Sequence, residues 1–316
     1  MMSGEDDAPP PEWFARAVAA PRESRFVEVE GCAIHYLRWG DPARPGLVFV
    51  PASGGHAHWY AHIAPLLAAQ FHVVAIDLGG CGDSGRRAAY TQASMAAEIM
   101  AVCADSGMRA AAVPPTLIGH SAGAQCAVRT AMAHGTALLG VIAVDGLRYA
   151  ALEKDQAVKI LNAPGSAPRP APRPARVYAT REEAVSRFRL MPAPLIPISN
   201  GYIVDYIARH SFHAVAGGWA AKYDTAQAAT ITLGLELKDV LKDLHCHAAV
   251  IYAEHTHLAD DTAVARMTAL NAGLVPVFVI PGTSHYPAID SPFAFVAAIN
   301  GIVLSWAAAA LRPARL

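Results

Sequence analysis

Apolar residues in the first third of the chain gather in runs too brief for helices. Arg25–Val29 and Ala33–Trp39 flank Glu30-Gly31, which reads as two short strands and the turn between them. Leu47–Val50 is wholly apolar and is closed by proline and glycines, the pattern of a buried strand. An alternation then sets in: Ala57–Ala69 as helix, His72–Ile76 as strand, Thr91–Asp105 as helix, Thr116–Ile118 as strand, Ala122–Ala133 as helix and Gly140–Val144 as strand. Apolar strands separated by helices of roughly 10–15 residues predict right-handed βαβ units and an α/β fold, with a mostly parallel central sheet covered by helices on both faces.

The rhythm breaks after Asp145. Residues 162–176 (NAPGSAPRPAPRPAR) form a Pro/Ala/Arg linker that cannot be regular helix or strand. Helical patterns follow over Arg181–Leu190 and Tyr202–His210, and the strand rhythm resumes at Ala248–Ala253. Then come a helix over Thr262–Asn271, a strand over Val275–Ile280 and a closing helix over Pro292–Trp306. The expected organisation is a disordered tail over 1–22, ending in a short helix around Trp13–Ala19. A single core comprises 23–146 and 231–316, and a helical lid is inserted over 147–230.

Composition narrows the function classes. The chain has 316 residues, of which 53 % are hydrophobic, and a formal net charge of −1. That supplies a large core and no basic face, so neither nucleic acid nor an anionic membrane is an expected partner. The five cysteines are scattered without a CxxC pair, which argues against a disulfide framework or a zinc site. The opening MMSGEDDAPPPEW is acidic and proline-rich, unlike a secretory signal, and apolar stretches such as Ile302–Leu311 are too short to span a bilayer. A cytoplasmic setting and no membrane are the expectations, and a homodimer is admitted.

The candidate chemistry begins at Gly119-His120-Ser121-Ala122-Gly123, which ends an apolar strand and opens an apolar helix. A serine on so sharp a turn needs small neighbours, and the turn exposes Oγ at a helix N-terminus. The second candidate is His285, in Pro281-Gly282-Thr283-Ser284-His285 between the last strand and the last helix. Loops at the carboxyl ends of parallel strands are where such sheets carry functional groups, and a histidine there can take a proton from Ser121.

The GHSAG turn, the Asp77-Leu78-Gly79-Gly80-Cys81-Gly82-Asp83-Ser84 turn and the PGTSH loop together resemble the α/β-hydrolase superfamily, from about residue 25 to the C-terminus. The resemblance implies the order nucleophile, acid, histidine, and a mainly structural role for the Asp77–Ser84 turn. Most relatives carry the acid two or three residues past a Gly-Glu-like pair. Here Glu254-His255-Thr256 puts threonine where that aspartate is expected. Asp145, one strand beyond the nucleophile, becomes the favoured acid, as in some members of the superfamily; Glu254 is the alternative, followed by Asp260 or Asp261. The oxyanion hole is expected from the backbone N–H groups of Ala122 and Ser53, the latter by alignment in a loop where relatives commonly have His-Gly and this chain has Pro51-Ala52.

In the insertion, Phe188, Met191, Trp219 and Tyr223 are expected to form an apolar wall. Arg187, Arg189 or Lys222 either bind a substrate carboxylate or pair with Glu182, Glu183 or Asp224. The candidate substrate contacts are His120, Arg187, Arg189 and Trp219. No metal and no organic cofactor are implied. The function read from these residues is a serine hydrolase cleaving a small carboxylic ester through an acyl-enzyme. The alternatives are a C–C bond hydrolase of the meta-cleavage type and a cofactor-free oxygenase on the same fold. A binding module is disfavoured because both serine and histidine are present. A haloalkane dehalogenase or epoxide hydrolase is disfavoured because those use aspartate where Ser121 stands.

Overall fold

The computed structural model describes residues 9–147, 176–230, 244–256, 258 and 275–310. Eight strands form one sheet: β1 (Glu23–Val29), β2 (Cys32–Trp39), β3 (Gly46–Val50), β4 (His72–Ile76), β5 (Thr116–His120), β6 (Gly140–Val144), β9 (His247–Ala253) and β10 (Val277–Ile280). Their order is β1-β2-β4-β3-β5-β6-β9-β10, antiparallel at the β1, β2 and β4 pairings and parallel from β4 onward. The two-residue periodicity of a strand divides the core. Leu47 and Phe49 of β3 join Ile118, Ile142 and Ile251 on one face, while Val48 and Val50 join Leu117, Val141 and Val250 on the other.

Helices cover both faces. On the second face lie α3 (Gln92–Asp105), begun by a Thr91/Ser94 capping box, and α4 (Ala122–His134). On the first lie α1 (Glu12–Ala19), α2 (Ala64–Leu67) and, near the C-terminus, α8 (Pro287–Asp290) and α9 (Pro292–Ala310). Among the described residues α9 alone is long and apolar enough to cross a membrane, and its Phe295, Ile299 and Val303 are buried against the sheet.

Four local expectations need correction. The helix expected over Ala57–Ala69 is a 3-10 turn, Ala57–Tyr60, followed by the single turn α2. Pro65 has no N–H to return to Ala61, so one continuous ladder cannot form. The segment 1–22 is not a tail throughout: α1 docks through Phe14, which is 4 % exposed and packs edge-on to Tyr202 and Tyr206. The insertion is not purely helical. Besides α5 (Arg181–Ser186), α6 (Gly201–His210) and α7 (Thr225–Thr230) it carries an antiparallel hairpin of β7 (Phe212–Val215) and β8 (Gly218–Ala221). Gly217 turns it at φ 85°, and a Cβ on Gly218 would lie 2.0 Å from the Tyr178 carbonyl oxygen. The helix expected over Arg181–Leu190 ends at Ser186. The linker up to residue 175 and the helix expected over Thr262–Asn271 lie outside the described residues.

The inserted segment is bolted to the core at the Asp77–Ser84 turn. Asp224 N–H donates to Gly80 O, Gly82 N–H to Lys222 O, and the Gln227 amide to Gly79 O, while Lys222 forms an ion pair with Asp83. At the other end Tyr286 donates to Pro192 O and Asn200 to Ile289 O.

Candidate active site

Register alone brings the central residues together. β5 and β6 are parallel neighbours with His120 opposite Val144, so the next residue of each, Ser121 and Asp145, leaves the sheet at the same rim. β6 and β9 pair with Val144 opposite Ile251, and Asp145 N–H is held by the Ile251 carbonyl at 2.8 Å. The His285 loop follows β10, the neighbour of β9.

Ser121 adopts φ 53°, ψ −118°, between the last residue of β5 and the first of α4. A non-glycine residue in that conformation is strained, and the neighbours make the turn fit. A Cβ on Gly119 would lie 2.4 Å from Gly123 O, and one on Gly123 would lie 2.3 Å from the carbonyl oxygens of both Val50 and Pro51. Gly123 thereby lets α4 start directly against the loop after β3, which contains Ser53.

His285 is 4 % exposed and Asp145 fully buried. His285 Nε2 lies 2.9 Å from Ser121 Oγ, and its Nδ1 lies 2.6 Å from Asp145 Oδ2. With Nδ1 protonated toward the carboxylate, Nε2 presents a lone pair to the serine hydroxyl. The carboxylate has two further partners: Thr256 Oγ–H donates to Oδ2 at 2.9 Å and Ala253 N–H to Oδ1 at 3.3 Å. The histidine loop is held from below. Ser284 donates both N–H and Oγ–H to Asp290 Oδ2, at 2.7 and 2.9 Å, and burial pushes the Asp290 carboxyl above its usual range.

Glu254, the alternative acid, is displaced from this array. Its side chain is half-exposed and accepts from Gly282 N–H at 2.8 Å, tying the loop after β9 to the loop before His285. Asp260 and Asp261 lie outside the described residues. His120 was a candidate substrate contact, but it is turned inward: it is 7 % exposed, and its Nε2 donates to the His285 carbonyl at 2.6 Å. Burial and the neighbouring His285 lower its pKa to about 3, so it serves as a neutral donor that fixes the histidine loop.

The candidates on the inserted segment are not gathered at Ser121 by any bond they make. Arg187 is exposed, and Arg189 donates to the carbonyls of Ser186 and Phe188, on its own turn. Trp219 pairs with Tyr178 across a bridge and lies under the Arg181 guanidinium, 5.7 Å from the ring centroid. Met191, expected in an apolar wall, is 71 % exposed, whereas Phe188 packs against the core. Lys222 pairs with Asp83 instead of Asp224. Tyr223 reaches the loop after β3: its ring covers Gly54 and its hydroxyl lies 3.0 Å from Ser53 Oγ.

The Asp77–Ser84 turn forms a separate buried network. Asp77 Oδ2 lies 2.7 Å from His35 Nδ1 and accepts Asp83 N–H at 2.8 Å, while Oδ1 accepts Ala57 N–H at 2.5 Å. Ser24 Oγ completes a look-alike Ser-His-Asp chain, 2.9 Å from His35 Nε2, but it stands on edge strand β1 and not on a strand-to-helix turn. Asp77 thus ties the turn after β4 to the segment after the β3 loop. His35, Asp77 and Asp83 bring ligand-type atoms within 4.8 Å of one another, and the positive charge beside them is Lys222. Of the site's contacts, sequence reasoning missed the Thr256 and Tyr223 bonds and the inward role of His120. Only Thr256 left a signal, as a hydroxyl where an acid was expected.

A serine at a strained strand-to-helix turn, a histidine after the last strand and a buried acid between them, on a mostly parallel eight-stranded sheet, define a hydrolase of the α/β type. The chain belongs to the alpha/beta hydrolase family, whose model matches residues 47–299. It is 26 % identical over 239 residues to 2-(acetamidomethylene)succinate hydrolase of Mesorhizobium japonicum, covering 75 % of this chain and 80 % of the relative. The solved structure of E-2-(acetamidomethylene)succinate hydrolase superposes with a TM-score of 0.70 at 20 % identity, covering 90 % of this chain and 99 % of the other. A thioesterase domain from the curacin biosynthetic pathway superposes with a TM-score of 0.68 at 21 % identity, covering 90 % of this chain and 100 % of the other. A carboxylesterase from Bacillus subtilis gives 0.62 at 14 % identity, covering 94 % and 96 %.

Proposed function

We propose that this protein is a serine hydrolase that cleaves a small carboxylic ester through an acyl-enzyme on Ser121. The observation that carries the reading is the unbroken relay from Ser121 Oγ through His285 to Asp145, at 2.9 and 2.6 Å. In the forward step Oγ attacks the substrate carbonyl as His285 Nε2 takes its proton. The imidazolium then returns that proton to the leaving alkoxide, and water attacks the acyl-enzyme by the same route. The carbonyl oxygen becomes an alkoxide that accepts from Ala122 N–H and Ser53 N–H, each donor contributing about 3 kcal/mol to the transition state. Asp145 holds the tautomer and stabilises the imidazolium. The inserted segment acts as a lid, with Tyr223 touching the oxyanion loop.

The relative's name places an acetamido group and two carboxylates on the compound it hydrolyses. The substrate panel therefore sets p-nitrophenyl esters of increasing chain length beside an N-acetyl amide and a monoester of a dicarboxylic acid. A fluorophosphonate probe followed by peptide mapping tests the nucleophile. Ser121 is expected to carry the label and Ser121→Ala to carry none. Ester turnover that persists at the parent rate in Ser121→Ala, or labelling elsewhere, removes the reading. Consumption of dioxygen without an acyl-enzyme burst establishes the cofactor-free oxygenase in its place, and cleavage of a dienoate ketone but no ester establishes the C–C hydrolase.

A further inference from the structure

A buried carboxylate needs its oxygens satisfied, and Asp145 is fully buried. Its Oδ2 serves two donors at once, the His285 ring at 2.6 Å and the Thr256 hydroxyl at 2.9 Å. The remaining bond, from Ala253 N–H to Oδ1, is long at 3.3 Å. Thr256 is therefore the one side chain besides His285 that binds this carboxylate among the described residues.

The threonine is itself oriented. Leu258 N–H donates to Thr256 Oγ at 3.0 Å, occupying a lone pair, so the hydroxyl proton is left to point at Asp145. Thr256 stands three residues beyond the end of β9, in the loop that His255 N–H ties to the Thr283 carbonyl at 2.9 Å and Glu254 ties to Gly282. The hydroxyl, the carboxylate and the histidine loop are thus braced as one unit. Two hydrogen bonds on one oxygen fix the carboxylate rotamer that faces Nδ1.

We propose that Thr256 is a positioning residue of the catalytic relay: its hydroxyl holds Asp145 aimed at His285 Nδ1, and so sets the reactivity of Ser121. This rests on the serine-hydrolase reading above. The role belongs to the hydroxyl and not to the methyl group, because every polar contact runs through Oγ. The effect reaches the reacting atoms only through Asp145 and His285, so it appears in the rate of attack and not in ligand affinity.

The test needs no natural substrate. The rate of labelling by a fluorophosphonate probe, resolved into maximal rate and half-saturating concentration, is measured for the full chain and for Thr256→Val, Thr256→Ala and Thr256→Ser. Loss of a hydrogen bond to a charged group predicts a maximal labelling rate lower by about 10- to 100-fold in the valine and alanine variants, at unchanged half-saturation. Serine restores the rate to within about threefold of the parent. Two non-donor variants are used so that a folding failure in one, seen by thermal melting, leaves the other to decide. A parent-like rate in a folded valine or alanine variant overturns the proposal, and so does a serine variant as slow as the valine one, which would assign the effect to the methyl group. If the parent protein itself is not labelled at Ser121, the hydrolase reading falls and this role with it. If the parent is labelled and the variants match it, only the role of Thr256 falls.

Discussion

Asp145 has φ 41°, a left-handed conformation that aspartate tolerates better than most residues, and it turns the chain off β6 so that the carboxylate faces His285. Asp145 is fully buried and His285 4 % exposed, so the carboxylate's charge is weakly screened, and on the proposed serine-hydrolase reading it is the counter-ion to the imidazolium formed during attack. Replacement by the neutral isostere should therefore be severe. Asp145→Asn is expected to lower kcat on the best p-nitrophenyl ester by about four orders of magnitude, since an amide can hold the imidazole in the wrong tautomer. Glu254→Gln is expected to stay within about twofold of the parent, because Glu254 is half-exposed and its partner is Gly282 N–H. Steady-state kinetics on the two variants side by side checks this, and equal losses would reassign the acid.

At the scale of elements, the site depends on close backbone approach where strands and helices meet. Gly146 follows Asp145, and a Cβ there would lie 2.4 Å from both the Ala124 Cβ and the Ser121 carbonyl oxygen. These are backbone and methyl atoms at the first turn of α4, with no flexible side chain to give way. Gly146→Ala is expected to cost about 1–3 kcal/mol in urea-unfolding free energy. It should also slow fluorophosphonate labelling, because relief of the clash displaces the nucleophile turn. Parent-like stability together with parent-like labelling would show that β6 and α4 have slack that the packing does not indicate. The hairpin glycines obey the same rule at a site without chemistry: Gly218 is required where β8 meets Tyr178, and it locates the insertion's fold, not its substrate.

At the scale of the whole molecule, the buried histidines link stability to acidity. Burial lowers the pKa of His56 and His62 to about 4, and that of His120 to about 3. In the unfolded chain the same groups take up protons near pH 6.5. Below that pH the unfolded state binds more protons than the folded one, so stability is full above about pH 7 and is lost as the pH falls toward 4. Each group adds a slope of up to about 1.4 kcal/mol per pH unit in that window. Urea titrations at pH 7.5, 6.5 and 5.5 should show the decline, and His62→Leu should make it shallower. A flat profile would mean that these rings are solvated in the native state.

The local chemistry was legible in the chain. Alternation of short apolar runs with helical stretches determined the mostly parallel sheet. The small residues around Ser121 and the loop position of His285 marked two of the three groups in the relay. These signals are local, because strand periodicity and turn sterics act over a few residues. Tertiary structure decided whatever depended on register and on contacts distant in sequence. It set Asp145, and not Glu254, against His285 by pairing β6 with both β5 and β9, turned His120 inward under the histidine loop, and set Thr256 on the Asp145 carboxylate from 111 positions away. It also docked α1 and broke the expected helix after the β3 loop. A carboxylate's role is fixed by which donors surround it in space, and one-dimensional spacing does not encode that when the donors come from different strands.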